Sequence, residues 1–317
     1  MNVLSLFDGM SCGQIALQRA GIKVGAYYAA EIDKYAIQVT QHNFPDTIQL
    51  GDVTKVFAKD LPKIDLIIGG SPCQGFSFAG KGLNFDDPRS KLFFEFVRLV
   101  KECNPKYFLL ENVKMKKEHE LVISQYMKVA PIEINSALVS AQNRVRLFWT
   151  NITITEMPID KGILLKDIIE IGEPIKDKSQ TILATLYKEN AKSMIKRNKA
   201  GLLVKMSSEN PRIKELSITD RGIRPHRNDK RKSGISKIGT IHYPDTKSYT
   251  ITANHAPKVL TEIIGWRKLS PIECERLQTV PDNYTQCVSD TQRYKMLGNG
   301  WTVDVIAHIF GSLLNGV

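Results

Sequence analysis

Asn2-Val3-Leu4-Ser5-Leu6-Phe7-Asp8-Gly9-Met10-Ser11-Cys12-Gly13 runs from an apolar stretch into a glycine-bearing turn, and helix-forming residues follow over 13–20. A strand that feeds a helix through such a turn brings backbone N–H groups to a helix N-terminus, where a nucleotide-like ligand can approach closely. The unit repeats outward from there. Residues 25–32 read as a second strand and 34–43 as a second helix, while 64–68 form a short β-branched strand ending in Gly69-Gly70. Leu92, Phe93, Phe96, Val97 and Val100 fall at helical spacing within 90–102, and 107–110 is another strand. Residues 132–138 and 145–150 are expected as a hairpin on the sheet edge. Alternating short apolar runs and amphipathic stretches predict an α/β fold, a mostly parallel sheet wrapped by helices.

Periodicity weakens from about residue 155, where Lys, Ser, Pro and Asn become frequent, and returns at 270–278, which opens with Ser-Pro as a helix N-terminus would. A last helix is expected over 302–314. The charge follows the same division. The chain of 317 residues carries a net charge of +11. Residues 1–154 contribute +3 and 259–317 contribute −1, so 155–258, at +9, hold nearly all of the excess. Its densest runs, 192–199 and 221–232, suit a phosphate-contacting surface. With 42% hydrophobic and 24% charged residues the composition is that of a globular chain. No apolar run approaches the roughly 18 residues of a membrane span, and no signal peptide is evident. Cys12, Cys73, Cys103, Cys274 and Cys287 are odd in number and lack C-x-x-C spacing, which argues against a disulfide scaffold or zinc-cysteine site. A soluble cytoplasmic protein is expected.

Three carboxylates follow the first strands: Asp8, Glu31 and Asp52. Each alone would be read as a helix cap. Together, at successive strand ends, they outline a nucleoside pocket, with Glu31 suited to ribose hydroxyls and Asp52 to an adenine amino group. The fourth strand leads into Gly69-Gly70-Ser71-Pro72-Cys73-Gln74-Gly75-Phe76-Ser77, where Cys73 stands among glycines and is placed for exposure. The fifth ends in Glu111-Asn112-Val113. Beyond lie Gln142, Arg144 and Arg146, the arginines alternating so as to face one side of a strand. Thiol, carboxylate and guanidinium converging on one cleft supply a nucleophile, an acid and an oxygen-binding group.

At these residues the chain resembles the DNA (cytosine-5) methyltransferases. Phe7–Gly13, Gly70-Ser71-Pro72-Cys73-Gln74, Glu111-Asn112-Val113, Gln142-x-Arg144-x-Arg146, the run Arg267–Cys274 and Gly298-Asn299-Gly300 match six family motifs in order. Ser11 and Gly300, followed by Trp301, are closer to the animal de novo branch than to most bacterial members. The resemblance implies a Rossmann-like S-adenosylmethionine-dependent fold with a mixed, mostly parallel sheet and a smaller irregular target-recognition domain. It divides the chain into a catalytic domain (1–154), a recognition domain (155–258) and a return to the catalytic domain (259–317). It implies S-adenosylmethionine held by Phe7, Asp8, Gly9, Ser11, Gly13, Glu31, Ile32, Asp52, Val53, Pro72, Asn299 and Val303. No metal is expected.

The implied chemistry is addition of the Cys73 thiolate to C6 of a flipped-out cytosine, with Glu111, Arg144 and Arg146 serving the base. DNA contacts are expected from Gln74, Ser77, Arg89, Gln142 and Thr250, and 74–89 reads as a lid. The implied partner is double-stranded DNA. A cognate restriction endonuclease is a further possible partner, and the setting is a monomer of prokaryotic or phage origin. Two enzyme rivals are methylation of transfer RNA by the same residues and a nicotinamide dehydrogenase; the first turn lacks a complete G-x-G-x-x-G for the latter. A cofactor-binding regulator without catalysis is a third reading.

Overall fold

A computed structural model describes residues 1–71, 88–191, 194, 199–206, 216–219, 222–225 and 265–314. β1 (Asn2–Leu6) leads through a turn to α1 (Cys12–Arg19), and β2 (Ala26–Ala30) to α2 (Lys34–Asn43). β3 (Ile48–Gln49) and β4 (Leu66–Gly69) follow, then α3 (Pro88–Cys103), β5 (Tyr107–Val113) and α4 (Lys117–Met127). β6 (Ile132–Asn135), β7 (Gln142–Asn143) and β8 (Val145–Thr150) complete the main run of strands. Seven strands form one sheet in the order β3-β2-β1-β4-β5-β8-β6. β1 is parallel to β2 and β4, and β4 to β5, whereas β8 runs antiparallel to both β5 and β6. The expected hairpin at the edge is therefore present as β6 and β8.

Side-chain alternation divides the core into two layers. Val3, Leu66, Ile68, Leu109 and Phe148 belong to one buried cluster with Ile15 and Ala16 of α1. Leu4, Leu6, Ile67, Leu110 and Trp149 belong to the other, with Phe93 and Phe96 of α3 and Ile123 of α4. β4 is buried at every position, the pattern of a central parallel strand covered by helices on both faces. Because β1 lies between β2 and β4, the chain leaves its carboxyl end towards one side while β4 delivers its own loop to the other. Such a switch point opens a crevice at the carboxyl edge of the sheet.

Further along, β9 (Glu173–Pro174), β11 (Leu203–Met206) and β14 (Gly265–Lys268) form a small antiparallel sheet, and β10 (Ser179–Gln180) pairs with β7. β12 (Leu216–Thr219) and β13 (Gly222–Pro225) pair with each other. Residues beyond the composition change at about 155 contribute to the core of the main sheet. Leu165, Ile168, Ile182, Leu186 and Leu203 join the same buried cluster as Val3.

The chain then returns through α5 (Pro271–Leu277), α6 (Asp290–Asn299) and α7 (Val303–Gly311). Ser270 and Glu273 cap α5 reciprocally, and Pro271 occupies its first turn, as the Ser-Pro signal requires. Ile306, Ile309 and Phe310 of α7 enter the cluster beside α1, and Arg19 pairs with Asp304 at 2.5 Å. Among the described residues, no helix is long and apolar enough to cross a membrane.

Candidate active site

A cavity of about 730 Å3 opens at the carboxyl edge of the sheet. Its volume lies within the range usual for small-molecule sites. The first turn forms one wall. Phe7, Gly9 and Ser11 all have φ near +60°, a conformation that suits Gly9 and is unusual for the other two. Their strain is held by the groups around Asp8, whose carboxylate accepts hydrogen bonds from the Ser11 hydroxyl and, at 2.7 Å, from the Tyr27 hydroxyl. Burial pushes the Asp8 carboxyl up to about 6, against the pull of these hydrogen bonds. Spending the Ser11 hydroxyl on Asp8 leaves the first turn of α1 without a side-chain cap. Met10 and Cys12, on either side of Ser11, line the cavity. Uncapped helical N–H groups beside a cavity suit a ligand carboxylate.

Glu31 closes the end of β2. Its Oε2 accepts the Gly9 N–H at 2.8 Å, and Oε1 accepts those of Ile32 and Asp33 at 2.8 and 2.7 Å. Three of roughly four carboxylate lone-pair positions are thus taken, and the remaining one can accept a hydroxyl. Ile32 lines the cavity while 77% exposed, an aliphatic surface available to a ligand. The expectation that Asp52 ends the third strand is corrected. β3 stops at Gln49, and Asp52 caps the 3-10 turn Val53–Lys55, with Oδ1 accepting from the Thr54 backbone and hydroxyl. Those hydrogen bonds hold its carboxyl below the usual range. Asp52 and Val53 still line the cavity.

The opposite wall carries Glu111 at the end of β5. Arg146 Nε lies 2.9 Å from Glu111 Oε1, and Trp301 Nε1 donates to Oε2 at 3.2 Å. Asn112 Nδ2 donates to the Ser71 carbonyl at 3.4 Å, where the described chain stops two residues short of Cys73. Arg144 also lines the cavity; its buried Nε has no partner among the described residues, and its two terminal guanidinium nitrogens are committed to the protein. With them Arg144 donates to the carbonyls of Ile182, Gly298 and Gly300 at 3.2, 3.2 and 2.9 Å. Burial, with the neighbouring Arg146 charge, lowers its pKa. Arg144, directly before β8, and Arg146, within it, both reach the cavity as their spacing suggests, the first bonded to backbone carbonyls and the second to Glu111. Burial also pushes the Cys12 thiol up to about 12, making it a neutral part of the floor.

Of the residues singled out in the sequence, Phe7, Asp8, Gly9, Glu31, Ile32, Asp52, Val53, Glu111, Arg144, Arg146 and Asn299 meet in this cavity. Ser11, Gly13 and Val303 stand behind its wall. Ser11 and Val303 are fully buried, and a Cβ on Gly13 would lie 2.4 Å from Ile68 Cδ1, so Gly13 serves packing between α1 and β4. Gln142, expected as a DNA contact, is buried as well, and neither polar atom of its side-chain amide has a hydrogen-bond partner among the described residues. Pro72, Cys73, Gln74, Ser77, Thr250 and the 74–87 part of the lid segment lie outside the described residues, as does the side chain of Arg89.

Leu183, Ala184, Thr185, Lys295 and Trp301 are wall residues that sequence reasoning did not assign. Only Trp301, an aromatic directly after Gly-Asn-Gly, carried a visible signal. Among the described residues, no cluster of His, Cys, Asp or Glu could hold a metal ion.

The parallel sheet, its switch point and the acids along its carboxyl edge define a Rossmann-like fold of the S-adenosylmethionine-dependent methyltransferase class. The model of the C-5 cytosine-specific DNA methylases matches residues 1–315, and the chain belongs to that family. It is 30% identical to the type II methyltransferase M1.ScrFI of Lactococcus lactis subsp. cremoris, over 98% of this chain and 77% of that protein. To the type II methyltransferase M.HhaI of Haemophilus parahaemolyticus it is 28% identical over 99% and 95%. The crystal structure of the S. pombe Dnmt2 methyltransferase shares the fold, with a TM-score of 0.65 at 17% identity over 99% and 98% of the two chains. The protein is a DNA (cytosine-5) methyltransferase, and its family implies S-adenosylmethionine as the methyl donor.

Proposed function

We propose that the enzyme methylates C5 of a cytosine flipped out of a specific duplex DNA site, through a covalent adduct of Cys73 with C6. The observation that carries this reading is the Glu111–Arg146 pair at 2.9 Å, set in the wall of the cavity that also holds Glu31, Ile32 and Asp52. A carboxylate and a guanidinium side by side match the N3/amine edge and the O2 oxygen of cytosine. That edge is paired inside a duplex, so the base must leave the stack to meet them.

Glu31, Asp52, Ile32 and the uncapped turn of α1 are suited to the ribose, amino, ring and carboxylate groups of S-adenosylmethionine, with Phe7, Gly9, Val53 and Asn299 beside them. Pro72 belongs to the same proposed set by the family motif. The bound cofactor supplies an electrophilic methyl group on a sulfonium. The Cys73 thiolate adds to C6 and makes C5 electron-rich, while Glu111 balances charge at N3 and Arg146 holds O2. C5 then bonds to the methyl carbon as the methyl–sulfonium bond breaks, leaving a neutral thioether; a base or water removes the C5 proton, and the C6–sulfur bond breaks as the ring regains its 5,6 double bond. Arg144 contributes by fixing the wall.

The basic segment 155–258 is the proposed reader of DNA, with phosphate contacts from its Lys and Arg runs and base contacts nearby, Thr250 among them. Gln74, Ser77 and Arg89 are proposed to line the path of the flipped nucleotide. A monomer working in a bacterial or phage-infected cytoplasm, with or without a cognate endonuclease, fits the type II character of the relatives named above. The decisive assay is transfer of labelled methyl groups to duplex DNA and to transfer RNA, with Cys73→Ala as control. Label in DNA that disappears with Cys73→Ala supports the reading. Label confined to RNA overturns the substrate, and label that persists in Cys73→Ala overturns the adduct.

A further inference from the structure

The Glu111 carboxylate is held by two donors from opposite sides: Arg146 Nε on Oε1 at 2.9 Å, and Trp301 Nε1 on Oε2 at 3.2 Å. We propose that Trp301 is a positioning residue for the methyl-transfer reaction, its indole N–H fixing the rotation of the Glu111 carboxylate and so deciding which edge of it meets the target base. The proposal rests on the reading of Glu111 given above.

A terminal carboxylate torsion is broad and roughly two-fold, so the chain bonds of Glu111 do not by themselves define the plane of its oxygens. An arginine on one oxygen restrains that plane only in part, because the group can pivot about the single contact. A second donor on the other oxygen removes the pivot. Indole is a donor and never an acceptor, so the lone pair it occupies cannot carry or receive the proton shared with the base. What remains for the base is the outer edge of the carboxylate.

The donor is itself held. Preceding Trp301, Gly300 donates its N–H to the Met296 carbonyl at 2.7 Å, and its own carbonyl accepts from Arg144 at 2.9 Å. After it, the Thr302 hydroxyl lies 2.8 Å from Ser136 Oγ and 2.9 Å from Gln278 Oε1. The ring passes close to two glycines. A Cβ on Gly70 would lie 3.0 Å from Glu111 Oε2 and 3.1 Å from Trp301 Nε1, and one on Gly13 would lie 3.7 Å from the indole Cζ3. Gly70 therefore leaves open the space in which the indole meets the carboxylate. Group and support are arranged as a preorganised site demands, with the supporting donor anchored on both sides.

The test replaces Trp301 by benzothienylalanine, which keeps the ring shape and exchanges the N–H for sulfur; Trp301→Phe is the companion variant. Single-turnover methyl transfer to duplex DNA is expected to slow roughly tenfold or more, the worth of one hydrogen bond to a charged group. The cofactor dissociation constant, by calorimetry, should stay within about twofold. Combined with Glu111→Gln, either change should slow the reaction no further, since Trp301 acts through that carboxylate. Parent-rate transfer by the benzothienylalanine protein overturns the proposal, as does a loss that multiplies with that of Glu111→Gln. A Glu111→Gln enzyme working at the parent rate removes the reading of Glu111, and the proposal with it.

Discussion

The Tyr27 hydroxyl lies 2.7 Å from Asp8 Oδ1, so the second strand hydrogen-bonds the carboxylate that ends the first. Both groups are drawn away from water, and burial lifts the Asp8 carboxyl from 3.8 to about 6. The folded protein therefore holds this proton at pH values where the unfolded chain has released it. Stability from this group falls as pH rises from about 4 through about 6, and the loss is complete above that window. Unfolding by urea without cofactor, at pH 5 and pH 8, should show the parent losing roughly 1 kcal/mol more than Asp8→Asn over that interval. Equal pH slopes for the two proteins would refute the assignment.

Arg144 and Arg146 should separate cleanly on substitution. Arg144→Ala leaves the Ile182, Gly298 and Gly300 carbonyls without their donor, and should cost about 3 kcal/mol of stability in equilibrium denaturation. Arg144→Lys should recover only part, because an ammonium lacks the planar fork that reaches three acceptors. Arg146→Ala, at the cavity face, should change stability by no more than about 1 kcal/mol yet slow methyl transfer about 100-fold. Comparable stability losses for both would contradict the division of labour.

Gly298 and Gly311 make opposite predictions. A Cβ at Gly298 would lie 2.1 Å from the Ala184 nitrogen and 2.3 Å from the Leu183 carbonyl carbon, both backbone atoms. Gly298→Ala should therefore cost about 3 kcal/mol or more and disturb cofactor binding. A Cβ at Gly311, in the last turn of α7, meets nothing within 4 Å, and Gly311→Ala should raise stability by roughly 0.5–1 kcal/mol. Thermal melts of the two variants suffice to check both.

Glu31→Gln replaces one acceptor oxygen by an NH2 group facing backbone donors at Gly9 or at Ile32 and Asp33. The turn must shift to relieve the clash of donors. Calorimetry should show S-adenosylmethionine binding at least about tenfold weaker, equivalent to about 1.4 kcal/mol. Binding at parent affinity would place the ribose elsewhere.

Much of this was legible in the sequence because it is local. The bounds of α2 coincide with the expected 34–43, and Ser270-Pro271 announced α5 through a cap that depends only on Glu273, three residues on. The carboxylates at strand ends were equally visible, since strand and turn signals lie side by side. What was hidden depends on contacts between distant segments. The antiparallel partners Val204 and Arg267 share no local pattern, and nothing around Leu183–Thr185 marks those residues as a wall. Arg144 and Arg146, spaced by two, both reach the cavity as expected, but the carbonyls that Arg144 binds come from segments 38 to 156 residues away and left no local signal. The bond from Trp301 to Glu111 crosses 190 residues and needs the missing side chain of Gly70, so no single stretch contains it.

All seven strands of the main sheet lie within the first 150 residues, yet the indole that holds Glu111 arrives only at position 301. At the usual pace of translation the ribosome needs roughly ten to thirty seconds to add the intervening stretch. Through that interval the nascent sheet carries its acidic rim with one side of the cavity still missing. A chain broken off within the basic segment would keep a Glu111 without its indole and an Arg144 without Gly298 and Gly300. Both contacts can form only once the chain has been made through residue 301.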